Sequence, residues 1–343
     1  MNGSTQSPNI TNCRDLRNPT VIKVVLPLLY TIVFIVGLLL NTLAAWIFCH
    51  IPNHSSFVVY LRNIITADLM MVITLPFKIL SDSRLGPWQL QAFVCRYTGV
   101  IFYNSMYLSI IFLGLISFDR YLKIVQPRKS LMVQKVTFAK VISVSFWVFM
   151  TGFVLPNIIL TNKTPTEKTA ARCLQLKNDL GVKWHHFIVL KCQVIFWITF
   201  VLIIACYSAI LKKIYWSDQK FQKDSSNVKK KANRNIFSIM GVFIVCFVPY
   251  QFIRIPYDIS RVNKNDCTTY NALHYAKEAT QLLCAFNVCL DPIIYFLLCK
   301  SFTKLLFKKM YGEGTSSAEL SEVRSKKLQS VNISSYCRAP TKL

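Results

Sequence analysis

Charge is scarce in this chain. Only 16% of its 343 residues are Asp, Glu, Lys or Arg, where a soluble domain carries about a quarter. Acidic residues are rarer still, 15 against 40 basic ones. The apolar residues lack the strict alternation of a membrane barrel. They run instead in blocks of about 20 or more, enough to cross a ~30 Å hydrocarbon layer as helices. Lipid offers backbone groups no water, so blocks of this kind leave only helices that pair their own N–H and C=O groups. Residues 1–20 lack an apolar core, so no cleavable signal peptide is expected and the first block remains as a span. There is no internal repeat of fixed period and no pair of broken helices, the usual marks of a transporter. No His, Cys, Asp or Glu spacing suggests a catalytic metal, and no cofactor is implied.

What is present predicts an all-α membrane protein, a seven-transmembrane-helix bundle with a short interfacial eighth helix. The spans fall at residues 21–49, 57–81, 92–124, 136–160, 187–216, 235–260 and 270–298. The eighth helix covers 301–311, where Phe302, Leu305 and Leu306 oppose Lys304, Lys308 and Lys309. Three parts follow: an N-terminal segment (1–20), the bundle with its interfacial helix (21–311), and a polar tail (312–343) expected to be disordered.

The net charge of +25 would suggest nucleic acid in a soluble protein. Here the excess reads as topology, and no nucleic-acid partner is expected. Lys and Arg collect in the loops after the third and fifth spans and in the tail, which puts the N-terminus outside a plasma membrane crossed several times. The loop before the fifth span is basic too, with Lys163, Lys168, Arg172, Lys177 and Lys183 against Glu167 and Asp179. Such a loop is either a solvated surface or an electrostatic funnel for an anionic ligand. Asn2, Asn9 and Asn162 each begin a glycosylation acceptor on the outer side. Cys13, Cys95, Cys173 and Cys267 are the cysteines in outer segments, and four cysteines allow three pairings. A Cys95–Cys173 link would pin the loop across the bundle mouth and leave Cys13 to tie the N-terminus to Cys267.

Ionisable residues within spans are costly and mark function by default. Four stand out: Asp68, Asp119, Arg120 and Asp291. They fall in a series with one motif per helix. Gly37 and Asn41 lie in the first, Ala67-Asp68 in the second, Asp119-Arg120-Tyr121 in the third and Trp147 in the fourth. Phe243, Phe247 and Pro249 lie in the sixth, and Asn287 with Asp291-Pro292-Ile293-Ile294-Tyr295 in the seventh. Over residues 21–311 this series resembles the rhodopsin-like G-protein-coupled receptors. Phe247 stands where the family usually has Trp, Asp291 where it has Asn, and Thr199 where it has a fifth-helix proline.

The resemblance implies a receptor, not an enzyme, that partners an extracellular ligand, a heterotrimeric G protein of the inhibitory class and membrane lipid. Activation would use Asp119, Arg120, Tyr121, Tyr207, Phe243, Phe247, Pro249, Asp291, Pro292 and Tyr295. Asp68, Ser109, Asn287 and Asp291 would gather round a sodium ion or waters. An opsin's Schiff-base lysine is missing, since its place is Ala285. The aspartate of amine receptors is missing too, since its place is Phe102. The stretches Arg254-Ile255-Pro256-Tyr257, Lys277-Glu278-Ala279-Thr280 and Pro156-Asn157-Ile158-Ile159-Leu160-Thr161-Asn162 are similar to the purinergic receptors that answer ADP or UDP-sugars. By that similarity the ligand site comprises Tyr103, Lys177, His185, Cys192, Gln193, Arg254, Tyr257 and Lys277. Arg and Lys at Arg254 and Lys277 suit phosphates, the first as a fork and the second as a point charge. Lys277 equally suits snorkelling to the interface. Val189 replaces that subgroup's fifth-helix Asn, with Lys191 two residues on, so the base contact does not carry over. Two other classes compete with this reading. A lysophospholipid receptor of the same fold would use the same cations, and an ion pump would use Asp68 and Asp291.

Overall fold

The computed structural model describes residues 18–51, 55–126, 135–170, 172–220, 226–262, 267–298, 302, 303 and 306. Seven long helices run through them: α1 (Val21–Cys49), α2 (Ser56–Asp82), α3 (Trp88–Val125), α4 (Val136–Ile159), α5 (Asp179–Lys220), α6 (Ser226–Val262) and α7 (Cys267–Leu298). No strand occurs among the described residues. The helices α1 to α6 each hold a stretch long and apolar enough to cross a membrane. The 32 residues of α7 suffice in length, but His274, Lys277, Glu278, Gln281, Asn287 and Asp291 are spread along it.

The helices pack as a ring, α1 on α2 and α7, α2 on α3 and α4, α3 on α4 and α5, α6 on α5 and α7. The helix α3 forms its axis: 72% of its most apolar stretch is buried, against 22% for α4. The outer face of α4 instead exposes Val141, Val144, Val148 and Phe149, which suits lipid rather than water. Small residues let the backbones close. A methyl at Gly37 would come within 2.6 Å of Val288, and one at Gly114 within 2.7 Å of Thr199, so these glycines set the α1–α7 and α3–α5 approaches. Polar ties fix register. Asn41 Nδ2 donates to Gly37 O at 2.9 Å and to Val288 O at 2.6 Å. Trp147 Nε1 donates to Asn63 Oδ1 at 2.9 Å, joining α4 to α2.

The spans predicted from hydropathy fall on these helices, the fourth running one residue past Ile159, with one instructive shortfall. The helix α5 begins at Asp179, not at residue 187, so Lys183 and His185 belong to a helix rather than to a loop. Asn178 caps that start, its Oδ1 accepting from Gly181 N at 2.7 Å. The extension is polar, and hydropathy alone stops short of it. Of the interfacial helix, Phe302 is described, and it packs on Phe48 with ring centroids 5.3 Å apart. Cys13, Asn2, Asn9 and the tail lie outside the described residues. Asn162 is exposed between α4 and α5, where an acceptor site is accessible.

Candidate functional site

The outer mouth is held by covalent and polar ties. Cys95 of α3 is bonded to Cys173, with Cα atoms 5.1 Å apart, and this pins the loop between α4 and α5 over the bundle. Cys267 is disulfide-bonded as well. The two arms of the loop are tied by Lys163 N donating to Leu176 O at 3.1 Å and Asn178 N to Leu160 O at 3.2 Å. The loop turns Lys177 onto the outer end of α4, where it is 4% exposed. Its Nζ donates to Asn157 O at 3.1 Å, Asn157 Oδ1 at 3.2 Å and Thr161 Oγ1 at 2.8 Å. All three acceptors are neutral, and burial pushes the ammonium down to about 8.

Tyr103 of α3 is approached from two other helices, α6 and α7. The guanidinium carbon of Arg254 on α6 sits 5.9 Å from the centre of the Tyr103 ring. Lys277 stands on α7, with its side chain 14% exposed. The Tyr103 hydroxyl donates to Gln281 Oε1 at 3.3 Å, one turn below Lys277. Arg254 is 7% exposed. Its Nε lies 3.3 Å from Asp258 Oδ2, an ion pair without a directed hydrogen bond, and its Nη2 lies 3.5 Å from His185 Nε2. Tyr257 turns to the top of α7, stacking on Tyr270 at 6.1 Å and meeting His274 edge-on at 6.1 Å. Lys277 Nζ donates to Glu278 Oε1 at 2.8 Å.

The floor of the mouth is polar and only partly satisfied. Gln193 Nε2 donates to Gln251 O at 3.0 Å, and the Tyr107 hydroxyl donates to Gln251 Oε1 at 3.3 Å. Gln193 Oε1 and Gln251 Nε2 find no partner among the described residues, leaving one acceptor and one donor to spare. Cys192 is buried beside them. Lys191 is exposed, with Nζ 5.3 Å from the Phe187 ring centre, so it faces away from this floor.

Deeper, Asp68, Ser109, Asn287, Asp291 and Tyr295 are all buried. Ser109 Oγ donates to Asp68 Oδ1 and Tyr295 OH to Asp68 Oδ2, each at 3.3 Å. Asn287 Nδ2 donates to Asp291 Oδ2 at 2.8 Å. Asp291 Oδ1 and Asn287 Oδ1 have no partner among the described residues. Above them a stack of rings spans α5 and α6: Phe196 and Phe200 lie parallel to Phe243 at 5.5 and 6.1 Å, and Phe247 meets Phe243 edge-on at 5.5 Å. Pro249 and Pro292 sit inside α6 and α7. At the inner end Asp119 holds Ser56 Oγ on Oδ1 and Lys123 Nζ on Oδ2, both at 2.6 Å. The Arg120 guanidinium lies 5.0 Å from the Phe57 ring centre, and Tyr207 of α5 is buried.

The structure thus brings Tyr103, Arg254, His185 and Lys277 to one mouth, with Gln193 and Cys192 at its floor and Lys177 on its loop side. It draws Tyr257 toward Tyr270. Sequence reasoning missed the charged and amide groups around these residues: Asp258, Lys78, Asp82, Gln251 and Gln281. Two signals were legible, since Lys78–Asp82 and Arg254–Asp258 both have the i,i+4 spacing of helical ion pairs. Among the described residues no group of three or more His, Cys, Asp or Glu is placed to hold a metal ion.

The chain is similar to known proteins. Residues 40–295 match the 7 transmembrane receptor (rhodopsin family). Purinoceptor 13 of Homo sapiens is 48% identical over 291 residues, 84% of this chain and 82% of that protein. Purinoceptor 14 of Bos taurus is 48% identical over 312 residues, 91% of this chain and 92% of that protein. G-protein coupled receptor 87 of Mus musculus is 48% identical over 287 residues, 83% of this chain and 80% of that protein.

Proposed function

Since the chain belongs to the rhodopsin family of seven-transmembrane receptors, we propose that it is a plasma-membrane purinoceptor that binds an extracellular nucleotide or nucleotide sugar and signals through heterotrimeric G proteins of the inhibitory class. The family is one of receptors, not of enzymes. The observation that carries the ligand class is the convergence of α6 and α7 on Tyr103, through the Arg254 guanidinium at 5.9 Å and through Gln281, one turn from Lys277, at 3.3 Å. A buried arginine and a largely buried lysine there suit a diphosphate, which takes charge-assisted hydrogen bonds from both. The spare acceptor of Gln193 and donor of Gln251 suit a base or sugar, in place of the amide absent at Val189. His185 and Cys192 would line the remainder, while Tyr257 and Lys177 would join the ligand only on leaving Tyr270 and Asn157. The ligand shifts the receptor only as far as it binds the active arrangement better. Pro249 removes a backbone hydrogen bond of α6, and the ring stack about Phe243 repacks as the inner end of α6 swings and frees Arg120 for the G protein. In mid-bundle, Asp68, Ser109, Asn287 and Asp291 would hold a sodium ion or waters. The unpaired oxygens of Asp291 and Asn287 suit either, since buried carboxylates without a cation need hydrogen bonds.

A panel of nucleotides, nucleotide sugars and lysophospholipids on cells carrying this chain, read by G-protein activation, tests the proposal. ADP or UDP-glucose should activate. Activation by lysophospholipid alone would replace the ligand class while leaving the fold and transducer in place.

A further inference from the structure

The Lys277 ammonium is not held by one carboxylate alone. It belongs to a chain of four charges that alternate in sign. Lys277 Nζ meets Glu278 Oε1 at 2.8 Å, Glu278 Oε2 meets Lys78 Nζ at 3.3 Å, and Lys78 Nζ meets Asp82 Oδ2 at 2.7 Å. The side chains are 14%, 12%, 15% and 28% exposed in that order, so the water that would weaken them is largely excluded. Lys78 is held from a third side, its Nζ lying 5.0 Å from the Tyr30 ring centre on α1. The chain is neutral as a whole, and it joins α1, α2 and α7 at the outer mouth.

We propose that Glu278 is a built-in competitor for the ligand's anionic group, and that Lys78 sets how readily it releases Lys277. The inference rests on the anionic-ligand reading above. A phosphate arriving at Lys277 brings a second anion to an ammonium that already faces Glu278. Glu278 must then give up its better contact, and a carboxylate left unpaired in a half-buried site is costly. Lys78 removes that cost. Its ammonium has three donors and already touches the far oxygen of Glu278, so the carboxylate turns to a partner that is in place. Asp82, the most exposed member, sits one turn along α2 and keeps Lys78 aimed at α7. Lys78 is therefore a positioning residue that acts on the ligand through Glu278 and Lys277.

The experiment is a double-mutant cycle on the full receptor, with ADP and UDP-glucose as probes. Lys78→Met should weaken binding by about three- to tenfold, the range of coupled neighbours, because Glu278 then clings to Lys277. Glu278→Gln should tighten it, and Lys78→Met added to Glu278→Gln should change affinity by less than about twofold. Lys78→Arg should restore most of the loss. Should the Lys78→Met effect persist in the Glu278→Gln background, Lys78 would act on the ligand directly or by bulk charge, and the proposal fails. A second readout needs no ligand: acylation of Lys277 by an activated ester, measured by mass spectrometry on purified receptor. Labelling should fall in Lys78→Met and rise in Glu278→Gln. If the labelling follows this order while no nucleotide activates the wild type, the ligand class is wrong and the competitor stands. If nucleotides activate but labelling and affinity ignore Lys78, the competitor is wrong and the ligand class stands.

Discussion

The mouth and the middle of this bundle both hold carboxylates, half-buried in the first and buried in the second, and they treat them in opposite ways. At the mouth, Asp82, Glu278 and Asp258 each lie within 3.3 Å of a lysine or arginine. In the middle, Asp68 and Asp291 are held by Ser109, Tyr295 and Asn287, neutral donors that leave Asp291 Oδ1 unpaired among the described residues. The mouth is thus a set of internal ion pairs, and on the proposal above an incoming anion would compete with the carboxylate of one of them. The middle is short of positive charge and suits a bound cation, a shared proton or water. Lys177 departs from the mouth's rule. It has three neutral acceptors, and burial pushes its ammonium down to about 8.

Four measurements sharpen or break this contrast. The largest effect is expected at Arg254. Removing a charge-assisted partner costs about 1.5–3 kcal/mol, so Arg254→Ala should lower agonist potency by roughly tenfold to over a hundredfold without lowering surface expression. Arg254→Lys should recover part of it, since a point charge does not reproduce a fork. A shift under about threefold, the scale of an exposed pair, would mean that Arg254 serves Asp258 and not the ligand.

Next is the disulfide above the mouth. Peptide mapping of folded receptor should find Cys95 and Cys173 linked, and Cys95→Ser should cost surface expression and ligand binding together. A freely alkylated Cys173 in ligand-competent receptor would contradict it.

In the middle, Asp68→Asn should alter the sodium sensitivity of agonist affinity by a few-fold. Identical sodium curves would make Asp68, Ser109, Asn287 and Asp291 a purely structural cluster.

The smallest effect concerns pH. The folded ammonium of Lys177, at about 8, lies below the ordinary lysine value of about 10.4. Between those values the unfolded chain binds more protons, so stability should rise with pH across that window. Below pH 8 both states are protonated, and the full cost of burying the charge is felt. Thermal melts of Lys177→Met between pH 7 and pH 10 should lack the rise seen in the wild type. Parallel curves would place the ammonium in water.

The sequence alone determined the seven spans, their orientation and the family series from Gly37 to Tyr295. Hydropathy over a bilayer's thickness is a local property, and one motif per helix can be read without knowing how the helices meet. Arg254 and Lys277 were legible as cations of the outer half because burial in lipid makes any charge conspicuous. Their company was not legible. Lys78 and Glu278 are 200 positions apart, and nothing local to either predicts that α2 and α7 bring them to 3.3 Å. The i,i+4 spacing of Lys78 with Asp82 announced one pair, while the link to α7 is a matter of helix packing. The start of α5 at Asp179 likewise depended on Asn178 capping a polar turn beyond the apolar run. The outward placement of Lys191 was decided by which face of α5 meets α3, an approach set by Gly114 against Thr199. Periodicity and transfer energy act within a segment and can be read from it. Which charges neutralise one another is set by the distances between segments, and those exist only once the helices have packed.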